Sequence, residues 1–405
     1  MTAVSSSFLL SLAEETTLAK RSKTLTPPHL PFDLVPEILC RLSVKHLLQL
    51  CCVCKSWNSL ISLDSNFARK QLSFSTSNKN RHQFIQSSTK SCREFLLSHS
   101  PISSFFTSAS NVPVTQLRHD FKRVINNRGS GVEISTCDGI LCFAINGSRA
   151  VLYNPSTRKS KKLPPLTNSK YTLVYDRITS NYKIIAVTSG YSNNQVNIHT
   201  LGTRYWRRIQ GFPCSRLICT PGIFVNDTVN WFAYDPNSPK VIVSLDLEKE
   251  LYRKLSLPFS RTHFETPMSL GALKGCLSIL SHKKETEISR FFNVWIMKEY
   301  GNEKSWTILL SVPPTVECGP YGGYSKVLYI FENDQLLMEF YRRERRGLYI
   351  FENDQVLMEF YRREQRGLVV YDSINNTSTI PKMQNNIHDF KVTSNFYVES
   401  LISPF

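Results

Sequence analysis

The sequence predicts an α+β chain in which a small module of three helices precedes a mainly antiparallel all-β domain. Apolar residues between Leu30 and Leu72 recur at helical spacing. From about Val112 onward, short β-branched and aromatic runs alternate with Asn, Asp, Gly and Pro turns, and one strand-turn-strand unit returns at a regular step. We expect this domain to be a kelch-like β-propeller, with an irregular β-sandwich as the alternative.

The composition is that of a folded protein with an excess of positive charge. The 405 residues are 41% apolar, enough for a sizeable core, and 49 Lys and Arg against 32 Asp and Glu give a net charge of +17. The basic residues are spread along the chain apart from short runs such as 158–162. We interpret them as a solvated positive surface. A nucleic-acid groove is the alternative, but no nucleic-acid motif accompanies it.

The N-terminus and the cysteines indicate the compartment. The first apolar run is too short, and its flanks are wrong, for a secretory signal, and no stretch approaches the roughly 18 apolar residues of a membrane span. The eleven cysteines are an odd number at irregular positions, which is typical of reduced, buried thiols. We therefore expect the chain in the cytosol, the nucleus or both, without a membrane partner.

The helical module has more apolar residues than one stripe per helix needs. Ser43 is predicted to cap the second helix. The additional apolar residues could bind a partner protein or pack against the rest of the chain, and the sequence pattern does not distinguish these two interpretations. The periodic residues are Leu34, Ile38 and Leu42 in the first helix, Val44, Leu47, Leu48 and Cys51 in the second, and Val53, Trp57, Leu60 and Ile61 in the third.

The stretches "LPFDLVPEILCRL", "VKHLL" and "VCKSWNSLI", followed by Phe67, resemble the F-box over residues 30 to about 72. Ser43 stands where that family often has Pro. The resemblance implies docking onto the Skp adaptor of an SCF-type cullin-RING ubiquitin ligase, with some of the apolar residues packing inside the module instead. The implied adaptor-binding residues are Leu30, Pro31, Leu34, Ile38, Leu39, Leu42, Val44, Leu47, Val53, Cys54 and Trp57.

The C-terminal two thirds contain one recurring unit and one duplication. The unit turns near Asn154, Leu201, Asp246, Lys298 and Asp372, at steps of roughly 45 to 52 residues until a longer last step. Residues 328–347 and 348–367 differ at two of twenty positions. We interpret each copy as a hairpin, so that the duplication adds two strands, and we favour a tolerated extra hairpin over a duplicated binding site. Its Arg-rich turns supply the candidate target-binding residues Arg342, Arg343, Arg345, Arg346, Arg362, Arg363 and Arg366.

Stretches such as "STCDGILCF", "LYNPSTRKSKKLPPL" and "YVESLISP" resemble, in order over residues 131 to 404, the F-box-associated domain of a large plant family. The resemblance implies a kelch-like protein-interaction domain. We accordingly divide the chain into a flexible tail (1–25), an F-box (26–72), a Ser-rich linker (73–110) that contains a strand near "REFLL", and a β-propeller-like domain (111–405).

No catalytic motif stands in its required context. The sequence has no G-x-S-x-G, no H-E-x-x-H and no P-loop, and Cys137 and Cys142 are typical of buried thiols. We expect no catalysis, cofactor or metal. The resemblance implies a substrate receptor for an unknown protein target, and the positive charge balance favours a target that is acidic or phosphorylated. The alternatives are a basic nucleic-acid-associated protein, a ligand-gated sensor, and an adaptor-binding relic whose duplicated hairpin prevents ring closure.

Overall fold

The structure is a computed structural model that describes most of the chain from residue 33 onward. Among the described residues, no helix has both the length and the apolar character needed to span a membrane. The described ranges are 33–90, 94–107, 112–117, 133–145, 149–166, 169–188, 194–214, 216–217, 221–235, 238–259, 265–284, 290–313, 323–330, 335–349, 358–383 and 393–405.

Four helices open the described chain: α1 (Leu34–Leu39), α2 (Val44–Leu50), α3 (Lys55–Leu63) and α4 (Ser65–Ser77). The three predicted helices are present, and Ser43 caps α2 as predicted, because its Oγ accepts a hydrogen bond from the His46 N–H at 3.4 Å. The fourth helix was not predicted. It begins where the Asp64 carboxylate accepts from the N–H groups of Asn66 and Phe67 at 2.8 and 3.0 Å.

The β-domain consists of six antiparallel sheets. Blade 1 contains β1 (His82–Lys90), β2 (Glu94–Pro101), β3 (Thr115–Leu117) and the last strand, β25 (Thr393–Val398); α5 (Ser103–Thr107) follows β2. Blade 2 contains β4 (Ile134–Cys137), β5 (Ile140–Ile145), β6 (Arg149–Asn154) and β7 (Lys159–Lys162). Blade 3 contains β8 (Ser169–Asp176), β9 (Asn181–Thr188), β10 (Gln195–Thr200) and β11 (Arg207–Arg208).

The second half of the ring repeats this order. Blade 4 contains β12 (Arg216–Leu217), β13 (Ile223–Val225), β14 (Thr228–Asp235), β15 (Ser238–Asp246) and β16 (Tyr252–Leu255), with β12 and β13 both paired to β14. Blade 5 contains β17 (Glu265–Leu273), β18 (Cys276–Lys284), β19 (Arg290–Met297) and β20 (Trp306–Val312). Blade 6 contains β21 (Gly323–Ile330), β22 (Gln335–Tyr349), β23 (Met358–Asp372) and β24 (Thr377–Thr379).

The ring is closed by the C-terminal strand. Strand β25 pairs with β1, and it contacts both β4 of blade 2 and β21 of blade 6. It thus takes the inner position that the first strand of every other blade occupies. The prediction of a β-propeller is confirmed, and the duplication does not prevent ring closure in this structure.

Each pair of neighbouring blades shares one apolar cluster. Fully buried aromatic side chains mark these seams, among them Phe143 between blades 1 and 2, Trp231 between blades 3 and 4, and Phe292 between blades 5 and 6. The cluster between blades 2 and 3 continues into the four helices. The helical module and the propeller therefore share one core.

The recurring unit predicted from the sequence is the hairpin of the third and fourth strands in blades 2 to 6. In blades 2, 4 and 6 this turn forms locally, because an Asn or Asp at the end of the third strand accepts from backbone N–H groups two and three residues later. For Asn154 these distances are 2.8 and 3.3 Å, for Asp246 both are 2.9 Å, and for Asp372 they are 3.0 and 3.1 Å.

The segment 73–110, which we predicted to be a linker, contains the end of α4, two strands of blade 1 and α5. The second strand, Glu94–Pro101, includes the predicted strand near "REFLL". Serines in these strands, including Ser87, Ser98 and Ser100, are buried. The linker prediction is corrected because the Ser-rich composition concealed two paired strands, the first of which also pairs with β25, about 300 residues away in the sequence.

The duplication lengthens two strands instead of adding two. Strands β22 and β23 have 15 residues each, and positions 342–349 of β22 pair with β23 alone, beyond the part of the blade that also includes β21. The predicted Arg-rich turns therefore lie in paired strands. The segment "RRERRG" lacks an Asn-Gly or similar two-residue turn, so the strand pairing continues through it.

Candidate functional site

The predicted adaptor-binding residues differ in burial. Four form the interior of the helical module: Leu39, Val44, Leu47 and Trp57 are all buried. They hold the helices against each other and are not available to a partner. Sequence periodicity could not identify them as interior, because Leu39 follows directly on Ile38 in the same short helix.

Two other predicted residues, Leu34 and Ile38, form together with Leu48 what we call the exposed apolar face. Leu34 and Ile38 lie one turn apart on α1 with 45% and 36% exposure, and Leu48 on α2 is 40% exposed. Leu42, Val53 and Cys54 are partly buried at the core of the module. Leu48 was not among the predicted binding residues, although the sequence marks it as apolar beyond the helix stripe. Leu30 and Pro31 lie outside the described residues.

The helical module is joined to the propeller through α4. The Arg69 guanidinium donates to Asp138 Oδ2 at 2.7 Å and stacks over the Tyr175 ring at 3.5 Å from its centroid. Tyr182 donates its hydroxyl to the same Asp138 oxygen at 2.8 Å. Burial, reinforced by the Asp138 charge, raises the pKa of Tyr182, so the phenol stays protonated and remains a donor.

The same turn of blade 2 is joined to the C-terminal segment. Ser400 Oγ donates to the Asp138 carbonyl at 2.6 Å, and Asn154 Nδ2 donates to the carbonyls of Ser400 and Ile402 at 3.0 and 2.7 Å. On α4, the buried Gln71 accepts from the Leu401 N–H at 3.3 Å. One network thus connects ring closure to the position of the helical module.

The candidate target-binding arginines lie along β22 and β23. The register places Arg343 opposite Glu364, Glu344 opposite Arg363, and Arg342 opposite Gln365. The side chains of all seven arginines lie outside the described residues. Their role in target binding stays a prediction, whereas their placement on turns is corrected by the strand pairing.

The two cysteines that the sequence analysis considered as nucleophiles, Cys137 and Cys142, have raised thiol pKa values. Burial raises the pKa of the Cys142 thiol to about 12 and that of Cys137 well above its ordinary value, which disfavours the thiolate that a nucleophile needs. In the described ranges, no group of three or more His, Cys, Asp or Glu side chains is arranged to hold a metal ion.

Known proteins resemble the chain over both parts. The F-box domain profile matches residues 28–69, and the profile of the F-box associated beta propeller domain matches residues 93–403. An F-box/kelch-repeat protein of Arabidopsis thaliana is 31% identical over 337 residues, covering 78% of this chain and 86% of the relative. F-box protein CPR1 of the same plant is 21% identical over 351 residues, covering 76% and 79%.

Among solved structures, the chain is similar to TolB from Acinetobacter baumannii, with a TM-score of 0.48 and 10% identity over 82% of this chain and 73% of that one. The family assignment rests on the two profiles and the plant relatives. The matched ranges include α1 to α3, the start of α4 and every strand from β2 to β25, and the residues between the two matches, 70–92, contain the rest of α4 and β1. The chain therefore belongs to the family of plant F-box proteins that carry an F-box associated beta propeller domain.

Proposed function

We propose that the chain is the substrate-recognition subunit of an SCF-type ubiquitin ligase. The F-box docks on a Skp-type adaptor, and the propeller binds a target protein. The chain itself performs no chemistry. It raises the local concentration of target lysines beside the charged ubiquitin-conjugating enzyme, which is a proximity effect.

The exposed apolar face is the observation that carries this proposal. Leu34, Ile38 and Leu48 remain in contact with solvent although the module shares a core with the propeller. The contact between the helical module and the propeller therefore does not cover these three side chains. This argues against the alternative left open by the sequence, in which the surplus apolar surface docks on the rest of the chain. Full burial of one such side chain is worth about 1.5–3 kcal/mol, so three of them can anchor an interface.

Co-purification of the full chain with a Skp-type adaptor tests the proposal. The variant Leu34→Ala/Ile38→Ala/Leu48→Ala should lose the adaptor while its far-UV circular dichroism and unfolding midpoint stay unchanged. Ile374→Ala, at a residue 75% exposed on blade 6, is the control and should bind normally. Undiminished adaptor binding by the triple variant would refute the assignment of this face.

A further inference from the structure

The positive charge of the chain is concentrated in blades 2 and 3 and the start of blade 4. From Gly139 to Asn226 the sequence has twelve Lys and Arg and a single acidic residue, Asp176. Twelve less one gives a net charge of +11 for this segment, out of +17 for the whole chain. The sequence interpretation, in which the basic residues are spread along the chain, overlooked this near absence of acids.

Acidic groups from inside and outside the segment neutralise four of its cations. Asp176 forms a buried ion pair with Lys183 at 2.7 Å. The remaining pairs join Lys170 to Glu133 at 2.7 Å, Arg177 to Asp227 at 4.0 Å, and Arg207 to Glu250.

Six further cations of the segment have no ion-pair partner among the described residues. We call them the basic rim: Arg158, Lys159, Lys161, Lys162, Arg204 and Arg208. All are exposed except Lys161, which is partly buried.

The basic rim lies on and beside two outer edge strands. Strand β7 (Lys159–Lys162) is the outer strand of blade 2, and β11 (Arg207–Arg208) is that of blade 3. The two blades meet there, because Trp206 Nε1 donates to the Pro164 carbonyl at 3.0 Å. Of the other outer strands, that of blade 4 (Tyr252–Leu255) carries Arg253 and Lys254, whereas those of blades 5, 6 and 1 (Trp306–Val312, Thr377–Thr379 and Thr115–Leu117) carry no charged residue. Charge on edge strands is therefore not a general feature of this ring that protects its edges.

We propose that the basic rim of blades 2 and 3 binds an extended, carboxylate-rich segment of a partner protein. An extended segment can pair with the free backbone edge of β7, and acidic side chains at alternate positions then meet the cations of the rim. The inference takes from the proposed function only that the propeller is the target-binding domain.

A nucleic acid is the less suitable occupant. Binding of single strands relies on exposed aromatic rings that stack on bases. Trp206 is instead packed against His199 and Tyr171, with ring centroids 5.2 and 5.9 Å away. Tyr205 is the exposed aromatic residue in that turn, and one ring does not provide the succession of stacking platforms that a strand of bases requires.

Fluorescence anisotropy with the full chain tests the proposal. The probe is a labelled peptide of about twelve residues with Glu at every second position and Thr between, and the control peptide has Gln for Glu. Lys159→Glu/Arg208→Glu should weaken binding of the Glu peptide at least about tenfold. Lys298→Glu/Lys304→Glu on blade 5 changes the net charge equally and should weaken it less than about twofold.

Three results would overturn the proposal: no preference of the wild-type chain for the Glu peptide over the Gln peptide, equal loss in the two variants, or tighter binding of a labelled oligouridylate that Lys159→Glu/Arg208→Glu abolishes. Adaptor co-purification from the same preparations separates this proposal from the proposed function. A chain that binds the adaptor but not the Glu peptide refutes only the basic rim, and the reverse refutes only the adaptor role.

Discussion

Replacing Gly139 by alanine is expected to weaken the closure of the propeller ring. Gly139 lies in the β4–β5 turn at φ +83°, where a Cβ would lie 2.3 Å from Ser400 Oγ and 2.5 Å from the Val398 carbonyl oxygen. Val398 ends β25, the strand that closes the ring. An alanine at this position must therefore push the closing strand away from blade 2.

Gly275→Ala is the matched control. Gly275 has the same place in the β17–β18 turn of blade 5, at φ +76°, and nothing lies within 4 Å of its Cβ position. Lys274 and Asp138, the residues before the two glycines, have φ values of +49° and +50°. Gly275→Ala thus carries the same left-handed backbone cost without the contact to the closing strand.

The cost of each substitution can be worked from these contacts. An L-residue in the left-handed region costs about 1–2 kcal/mol, which applies to both variants. Overpacking against the closing strand adds about 1–3 kcal/mol for Gly139→Ala alone. Urea unfolding followed by tryptophan fluorescence should therefore give Gly139→Ala a clearly lower midpoint than Gly275→Ala. Equal urea midpoints for the two variants would refute the conclusion that the β4–β5 turn packs against the closing strand β25.

Three further predictions concern the core, an ion pair and the duplication. Leu39→Ala should lower the free energy of unfolding by about 2–5 kcal/mol, whereas Leu34→Ala should change it by less than about 0.5 kcal/mol. Similar losses of stability in the two variants would contradict the assignment of Leu39 to the interior and Leu34 to the exposed apolar face. Burial alone would raise the pKa of Asp176, but hydrogen bonds, above all from Lys183, lower the pKa below its ordinary value. The ionised Asp176 therefore stabilises the folded state fully at pH values above the ordinary pKa, and this contribution is lost as the pH falls through the lowered pKa. Asp176→Asn should therefore destabilise by about 3 kcal/mol at neutral pH, with a difference from wild type that shrinks in acid; a pH-independent difference in urea midpoint would contradict this. Deleting 348–367 should leave the midpoint unchanged, because the lost positions pair outside the four-stranded part of blade 6, and a large drop would show that the ring depends on them.

Sequence reasoning succeeded where the structure is determined locally. The turns at Asn154, Asp246 and Asp372 are formed by side chains that bind backbone groups two and three residues away, so a short window contains the whole cause. The cap of α2 by Ser43 is local in the same way. Together with the turns near Leu201 and Lys298, these three turns provided the repeat step from which the propeller was predicted.

Sequence reasoning failed where the partner is distant. The segment of β1 and β2 was predicted to be a linker, because β25, which pairs with β1 and completes the blade, is about 300 residues away in the sequence. The division of the helical module into interior and exposed apolar residues depends on how the helices pack, which apolar spacing alone does not determine. Near-identical repeats are a further case, since each copy can pair with itself or with the other. The structure pairs "FYRRER" (340–345) of the first copy with "YRREQRG" (361–367) of the second.

The junction at Asp138 has a consequence for the proposed ligase role. Arg69 of α4 and Ser400 of the C-terminal segment both donate to this one residue, so the last residues of the chain fix the first described module. A change that loosens β25 should also loosen the exposed apolar face relative to the basic rim. Since proximity catalysis depends on the distance between adaptor and target, weakened ring closure should impair target ubiquitylation before it impairs adaptor binding.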